Sequence, residues 1–192
     1  MKHLILMAGT AALMAGCTTA MEEPLSQEPM EAGIPGMPAP VYMETAASGD
    51  LFEIESSRLA LARSRNPEVL SFAQMLIGDH TRMSSELMMA AEQAGLRPPP
   101  PRMLPRHADM LARLQAAGPA NFDRAYKVEQ IAAHQEALNL HRTYADNGDL
   151  PPLRAVAARA VPIIEGHLGH AQQLPEWAAP PPPINRAGER GR

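Results

Sequence analysis

The chain has a single cysteine in 192 residues, so it cannot close an intramolecular disulfide. Aromatic residues are scarce, with one Trp, three Tyr and three Phe, and no segment shows the alternating apolar pattern of a strand. A net charge of −4 and an isoelectric point near 6.0 give no basic surface for nucleic acid, and no nucleic-acid partner is expected. No glycine-rich phosphate loop, Ser/His/Asp arrangement or cysteine nucleophile is visible. What the chain does have is Ala, Leu and Met in quantity, which favours helices. Its 20 prolines would argue against an all-helical fold if scattered, but they cluster between or outside the periodic segments.

The first 17 residues read MKHLILMAGTAALMAGC. Lys2 supplies a short positive start and Leu4 to Ala15 an apolar run too short to span a bilayer, which is the pattern of an export signal. Met14-Ala15-Gly16 before Cys17 is similar to a bacterial lipobox, with Met14 where Leu is usual. Cys17 is therefore the expected lipidation site and the membrane the expected partner, through an N-terminal lipid anchor. Thr18 then points to the outer membrane, facing the periplasm. Residues 18–40, rich in Pro and Glu without helical period, read as a disordered tether, and 175–192 as a disordered Pro-rich tail. The folded domain is expected over residues 41–174.

That domain is built around Asn66 to Gly95. Asn66 is a good N-cap, Pro67 suits the first helical position, and Gly95 can take the left-handed turn that ends the helix. Between them Val69, Ala73, Leu76, His80, Met83, Leu87, Ala90 and Ala94 recur at steps of four and three, the seam of a bundle helix. A first helix is expected from about Val41 to Arg65 with Leu51, Ile54 and Leu61 on one face. A short helix follows over about Leu104 to Ala117. A fourth runs over about Pro119 to Asn147, its apolar face carrying Phe122, Tyr126, Val128, Ile131, Ala133, Ala137, Leu138 and Tyr144. A fifth covers about Leu150 to Leu174, with Leu153, Val156, Ala160, Ile164, His167, Ala171 and Leu174 at heptad spacing, Asp149 placed to cap it and Pro162 inside it. The fold class is all-α: a ferritin-like four-helix bundle with one short extra helix in the long connection.

Three histidines sit alike on three of these helices. His80, His134 and His167 each lie near mid-helix, on or beside the apolar stripe, at a depth that antiparallel packing would share. Glu53 or Glu55 from the first helix reaches a comparable depth, and Asp79 adjoins His80 as a ligand or as a partner fixing a ring tautomer. One carboxylate and three imidazoles would suit a divalent transition metal, Zn, Fe, Mn or Cu. The other reading is a polar core network, with the rings satisfied by each other, by Tyr126 or Tyr144, or by the carbonyl that Pro162 frees. His141 and His170 fall one or two turns away, exposed or at the rim. The Glu-x-x-His pairs of di-iron enzymes are absent, since Ile77, Ile131 and Ile164 precede the three histidines by three. Met75, Met83, Met88 and Met89 suggest Cu(I) only weakly, because only Met83 is on the seam and Met commonly fills cores.

The stretches LFEIESSRLALARSRNPEVLSFAQMLIGDHTRMSSEL, GPANFDRAYKVEQIAAHQEALNL and AVPIIEGHL resemble a bacterial domain-of-unknown-function family of exported, outer-membrane proteins with a ferritin-like helical fold. The resemblance spans about Glu44 to Leu174. It rests on the Glu-Ile-Glu of residues 53–55, Asp79-His80, Phe122-Asp123 with Tyr126, His134, and Pro162 with His167. It implies the bundle and an envelope location but no reaction, and it matches Glu53 better than Glu55. The expectation is a non-catalytic cell-envelope lipoprotein whose His/acid core binds a divalent metal. The alternatives are a ferritin-like metal-dependent redox enzyme and a purely structural or protein-binding spacer.

Overall fold

A computed structural model of the protein describes residues 36–175. The signal, Cys17, most of the expected tether and the tail with Trp177 lie outside the described residues. Five α-helices follow in order: α1 (Ala39–Arg63), α2 (Pro67–Gln93), α3 (Pro105–Ala116), α4 (Phe122–Asn147) and α5 (Pro151–Gln173), with a 3₁₀ turn at Pro119–Asn121 leading into α4. Among the described residues there is no strand, and no helix is long and apolar enough to cross a membrane.

Local chemistry accounts for most helix limits. Asn66 Oδ1 accepts the Glu68 N–H at 2.9 Å, and Pro67 occupies the first turn of α2. Gly95 takes φ +72° just past the end of α2, where the Leu96 N–H returns to the Ala91 carbonyl. The first helix starts at Ala39, two residues before the expected Val41, and reaches into the segment read as tether. The cause is a tertiary cap. Asp149 does not cap α5, as its position suggested; its Oδ2 accepts the Ala39 N–H at 3.2 Å and its Oδ1 the Tyr144 O–H at 2.7 Å. At the other end, Arg63 donates to the carbonyls of Leu114 at 3.0 Å and Gln115 at 3.1 Å and to that of Ala117, satisfying the last turn of α3.

The helices pair as α1 with α2 and α4 with α5, and the two hairpins join through α1 against α4 and α2 against α5. Cross-helix pairs give the directions. Tyr42 meets Tyr144 while Ser57 meets Tyr126, so α1 and α4 are antiparallel. Glu86 pairs with Arg159 while Phe72 meets His170, so α2 and α5 are antiparallel too. With short links inside each hairpin, α2 and α4 must run the same way. Their connection therefore returns along the bundle, and α3 fills that return, packed on α1 and α4. This is the expected ferritin-like topology.

The core has two apolar ends. Phe52, Phe72, Leu76, Met110, Leu114, Phe122 and Tyr126 belong to one cluster, and Tyr42, Met43, Leu87, Tyr144, Leu153 and Val156 to the other. The stripes read on α2 and α5 are buried nearly as expected. That on α4 is met in part, with Phe122, Tyr126, Ala133 and Tyr144 buried, and that on α1 is not. Leu61 and Val128 are exposed and Leu51 and Ile54 only half-buried, whereas Ser48, Asp50, Glu53, Ser56 and Ser57 of α1 point inward. The buried face of α1 is a four–three stripe through Met43, Ala46, Asp50, Glu53, Ser57 and Ala60, and its polar members hid it.

The shared cap leads to a prediction. Asp149→Ala leaves the Ala39 N–H and the Tyr144 hydroxyl without their partner, and it should destabilise the bundle by about 1–3 kcal/mol in urea unfolding. Asp149→Asn keeps an acceptor and should lose less.

Candidate metal centre

Between the two apolar clusters lies a buried polar layer, and its histidines come from α2, α4 and α5. His80, His134 and His167 are at most 3% exposed, and one ring nitrogen of each lies within 4.8 Å of those of the others. The ring centroids form a near-equilateral triangle with sides of 5.8, 5.4 and 5.4 Å. Steps of four and three turn these positions to the bundle axis, and antiparallel packing brings them to one level.

Each ring is held from outside by a group that can only accept. His80 Nδ1–H donates to Asp50 Oδ1 at 2.8 Å, His134 Nδ1–H to the Gln130 carbonyl at 2.8 Å, and His167 Nε2–H to Asp79 Oδ2 at 2.9 Å. A carboxylate or carbonyl partner fixes the tautomer, because that ring nitrogen must carry the proton. The remaining nitrogens, His80 Nε2, His134 Nε2 and His167 Nδ1, are buried and have no hydrogen-bond partner. In the neutral rings these are three lone pairs in one small space. Such orphaned acceptors are costly unless something fills them. The tyrosines and the freed carbonyl named for a satisfied network are engaged elsewhere. Tyr126 bonds Ser57, Tyr144 bonds Asp149, and Ala158, whose carbonyl Pro162 frees, is exposed.

The carboxylates sit outside the ring triangle. Asp79 orients His167 and pairs with Arg82 at 2.8 Å. Glu53 is 3% exposed, with Oε1 3.4 Å from the outer nitrogen of His134 and Oε2 unpartnered. Glu55 does not join the site; it is half-buried and pairs with Arg58 at 2.6 Å. Asp50 was missed in the sequence. It accepts from both His80 and Ser84 Oγ, the latter at 2.9 Å, and the signal for it was its place three residues before Glu53 on the true buried stripe. His141, expected exposed or at a rim, is buried against the Tyr42 hydroxyl at 3.1 Å, whereas His170 is exposed on the Phe72 ring.

Electrostatics follow from burial. Burial pushes His134 down to about 3, aided by the charge of His80 and opposed by the Gln130 carbonyl. Burial also lowers His167, against its hydrogen bond to Asp79. For His80 burial acts downward as well, but the hydrogen bond and charge of Asp50, with Glu53 and Asp79 behind, hold it above the usual value. Burial lifts Glu53 to about 7, against the pull of His80 and Gln130. His80 and Gln130 thus offset only part of the burial cost of an ionised Glu53, and a cation in the triangle would offset more. Three imidazoles fit Zn(II), Cu(II), Fe(II) or Mn(II), whose bonds near 2.1 Å call for donors about 3.4 Å apart, so donors now within 4.8 Å of one another would draw together around an ion. With the carboxylates on the outside, a fourth position is left for water, and Glu53 would have to turn inward from His134 Nδ1 to take it.

Comparison with known proteins agrees with this architecture. Residues 26–174 match the family described as domain of unknown function DUF4142, and the chain belongs to that family. No curated protein matches it. Among solved structures, CopM in its Cu(II)-bound form is 22% identical, with a TM-score of 0.62 over 72% of this chain and 95% of that one. CopM in its Cu(I)-bound form is 21% identical, with a TM-score of 0.60 over 70% and 93%. A conserved hypothetical protein from Mycobacterium tuberculosis, rv2844, is 13% identical, with a TM-score of 0.52 over 74% and 96%. At these identities the likeness shows the helical fold.

The buried neutral rings set a pH dependence. Burial pushes His141 down to about 4, against the charge of Asp50, and His134 down to about 3. A ring depressed below its ordinary 6.5 takes up its proton more readily when unfolded, so its stability is full above pH 6.5 and is lost as the pH falls towards the folded value. Urea unfolding should show stability dropping between about pH 6.5 and about pH 4, and His141→Gln should make that drop shallower. His80 acts in the opposite sense, its contribution full below pH 6.5 and lost as the pH rises through its raised value. Glu53, lifted to about 7, loses its own between its ordinary 4.5 and about 7, which offsets part of the acid drop.

Proposed function

We propose that this DUF4142 protein is a non-catalytic metal-binding protein of the cell envelope, holding one divalent transition-metal ion between His80, His134 and His167. The observation that carries the reading is the set of three buried, unpartnered ring nitrogens, each on a ring fixed from behind by an acceptor. That is how metal-ligating histidines are commonly oriented, with the second nitrogen tied to a carboxylate or carbonyl. Asp50 and Asp79 serve as these outer partners, and Glu53 either completes the coordination or balances its charge. Imidazole donors without a thiolate favour Zn(II), Cu(II), Fe(II) or Mn(II). The copper- and silver-bound structures of CopM, on a related fold, support a transition metal without selecting one. The envelope location rests on the signal-like start and the lipobox around Cys17, the membrane being the partner. The absence of Glu-x-x-His pairs weighs against a ferritin-like oxidase.

Elemental analysis of the untagged full chain, with titration of Zn(II), Cu(II), Fe(II) and Mn(II), tests the metal reading. One equivalent should bind. His80→Ala, His134→Ala and His167→Ala should each lower affinity by roughly 100-fold or more, and Asp50→Asn by about 10–100-fold. Free metal at about 100 times its dissociation constant should stabilise the fold by about 2.7 kcal/mol, and a chelator should remove that gain. Tight binding retained by all three histidine variants, or no binding by the parent chain, would leave the layer as structural.

The anchor has its own test. Mass spectrometry of the membrane-extracted protein should show a chain beginning at an acylated Cys17, and Cys17→Ser should release it to the soluble fraction. An unmodified soluble parent chain would end the lipoprotein assignment.

A further inference from the structure

The histidine triangle is buried on every side, so a hydrated ion needs a way in. A small cavity of about 20 Å³, room for about one water, lies between α1 and α4 where His107 of α3 covers it. Its lining includes His80 with Asp50 and Glu53, and also His107 of α3 and Glu136 of α4. Small residues open the space between them. Ala46, Gly49, Ala133 and Ala137 line it, and a Cβ added at Gly49 would already meet the His107 ring at 3.7 Å. The cavity thus joins one member of the triangle to a second imidazole–carboxylate pair nearer solvent.

That pair is poised in an unusual way. Glu136 is a quarter exposed; Arg106 holds its Oε2, and its Oε1 faces His107 Nε2 at 3.8 Å, too far for a hydrogen bond. Two donors at this spacing are close to what one ion needs from two ligands, about 3–3.6 Å for bonds near 2.1 Å. The His107 ring is fixed by its other nitrogen, which lies 2.6 Å from Ser48 Oγ, and that hydroxyl oxygen also accepts the Leu104 N–H at 2.7 Å. The ring stacks on Phe52 with centroids 6.0 Å apart. A buried histidine with no part in the triangle is therefore oriented towards a quarter-exposed carboxylate beside a cavity that His80 also lines.

We propose that this cavity is the passage by which a divalent cation reaches the triangle, and that His107 Nε2 and Glu136 Oε1 form its outer waypoint. The carboxylates lead inward, Glu136 first and then Glu53 and Asp50, so an ion shedding water meets a negative or lone-pair donor at each stage. The proposal rests on the metal reading of the triangle. It concerns the rate of loading, because neither waypoint residue belongs to the final site. Uptake and release share the path, so blocking it slows both by the same factor and leaves the equilibrium unchanged.

The experiment is stopped-flow loading of the full chain with Zn(II), read by competition with a chromophoric chelator, and release into excess EDTA. His107→Gln combined with Glu136→Gln should slow uptake and release at least about tenfold with the dissociation constant unchanged within about twofold. Ala137→Leu, which narrows the cavity without touching a donor, should slow both as well and guards against a waypoint variant that misfolds. Parent-like rates in both variants, with the triangle still binding, would overturn the passage. A large fall in affinity in the double variant would also overturn it, by making His107 or Glu136 part of the site itself. If the parent chain binds no Zn(II) while its fold is intact, the metal reading fails first and the passage with it.

Discussion

Asp50 accepts two hydrogen bonds in the middle of the bundle, from His80 and from Ser84, and much of the architecture follows from where that carboxylate lies. A buried carboxylate is tolerated only when paired and bonded. Asp50 sits on α1 and its partners on α2, so the first hairpin is locked in one register at this level. His80 then projects its free nitrogen across the bundle axis towards α4 and α5, which place His134 and His167 opposite. Shifting either hairpin by a turn would leave Asp50, Glu53 and three imidazoles facing apolar side chains. The polar layer thus specifies alignment, and the Phe- and Tyr-rich clusters on either side supply the apolar burial.

The layer is satisfied on its outside and unsatisfied within. Every outward ring nitrogen of the three histidines has an acceptor, while every inward one has none. Chance burial of three polar residues would not sort the bonds in this way. The arrangement fixes the tautomers and keeps the inward lone pairs available, as metal-ligating histidines require. Arg63 contributes at a distance: by closing the end of α3 it keeps that helix over the α1–α4 groove, and so keeps His107 beside Glu136.

How much of this was legible in the sequence differs from helix to helix. The stripes of α2 and α5 were readable because their core positions are apolar apart from one histidine each, and that histidine sits in phase with Leu76 or Ile164. On α1 the inward positions are Asp50, Glu53 and Ser57, so the apolar residues that stand out, Leu51, Ile54 and Leu61, marked a face that is not the core. On α4 the inward Glu129, Gln130 and His141 misled in the same way, and Val128 was read as buried when it is exposed. The three triangle histidines were found by register and Asp79 was read as a ligand or tautomer-fixing partner, but the ring it serves, His167, and the partners of the other two, Asp50 and the Gln130 carbonyl, were not. Asp50 lies 30 residues from His80 and Asp79 lies 88 from His167, and no local pattern links such pairs.

By itself the sequence determined the all-helical fold and most helix limits, because an Asn cap, a proline in a first turn and a glycine at positive φ act through the backbone within a few residues. It also determined which three histidines share a level, since helical periodicity and short hairpin links set depth. Only the tertiary structure decided the tautomers, the choice of Glu53 over Glu55 for the interior, the burial of His141 and the use of Asp149 as a cap for α1 rather than α5. Each of those depends on which group a neighbouring helix brings within about 3 Å, and hydrogen bonding is too short-ranged for that to be read along one chain.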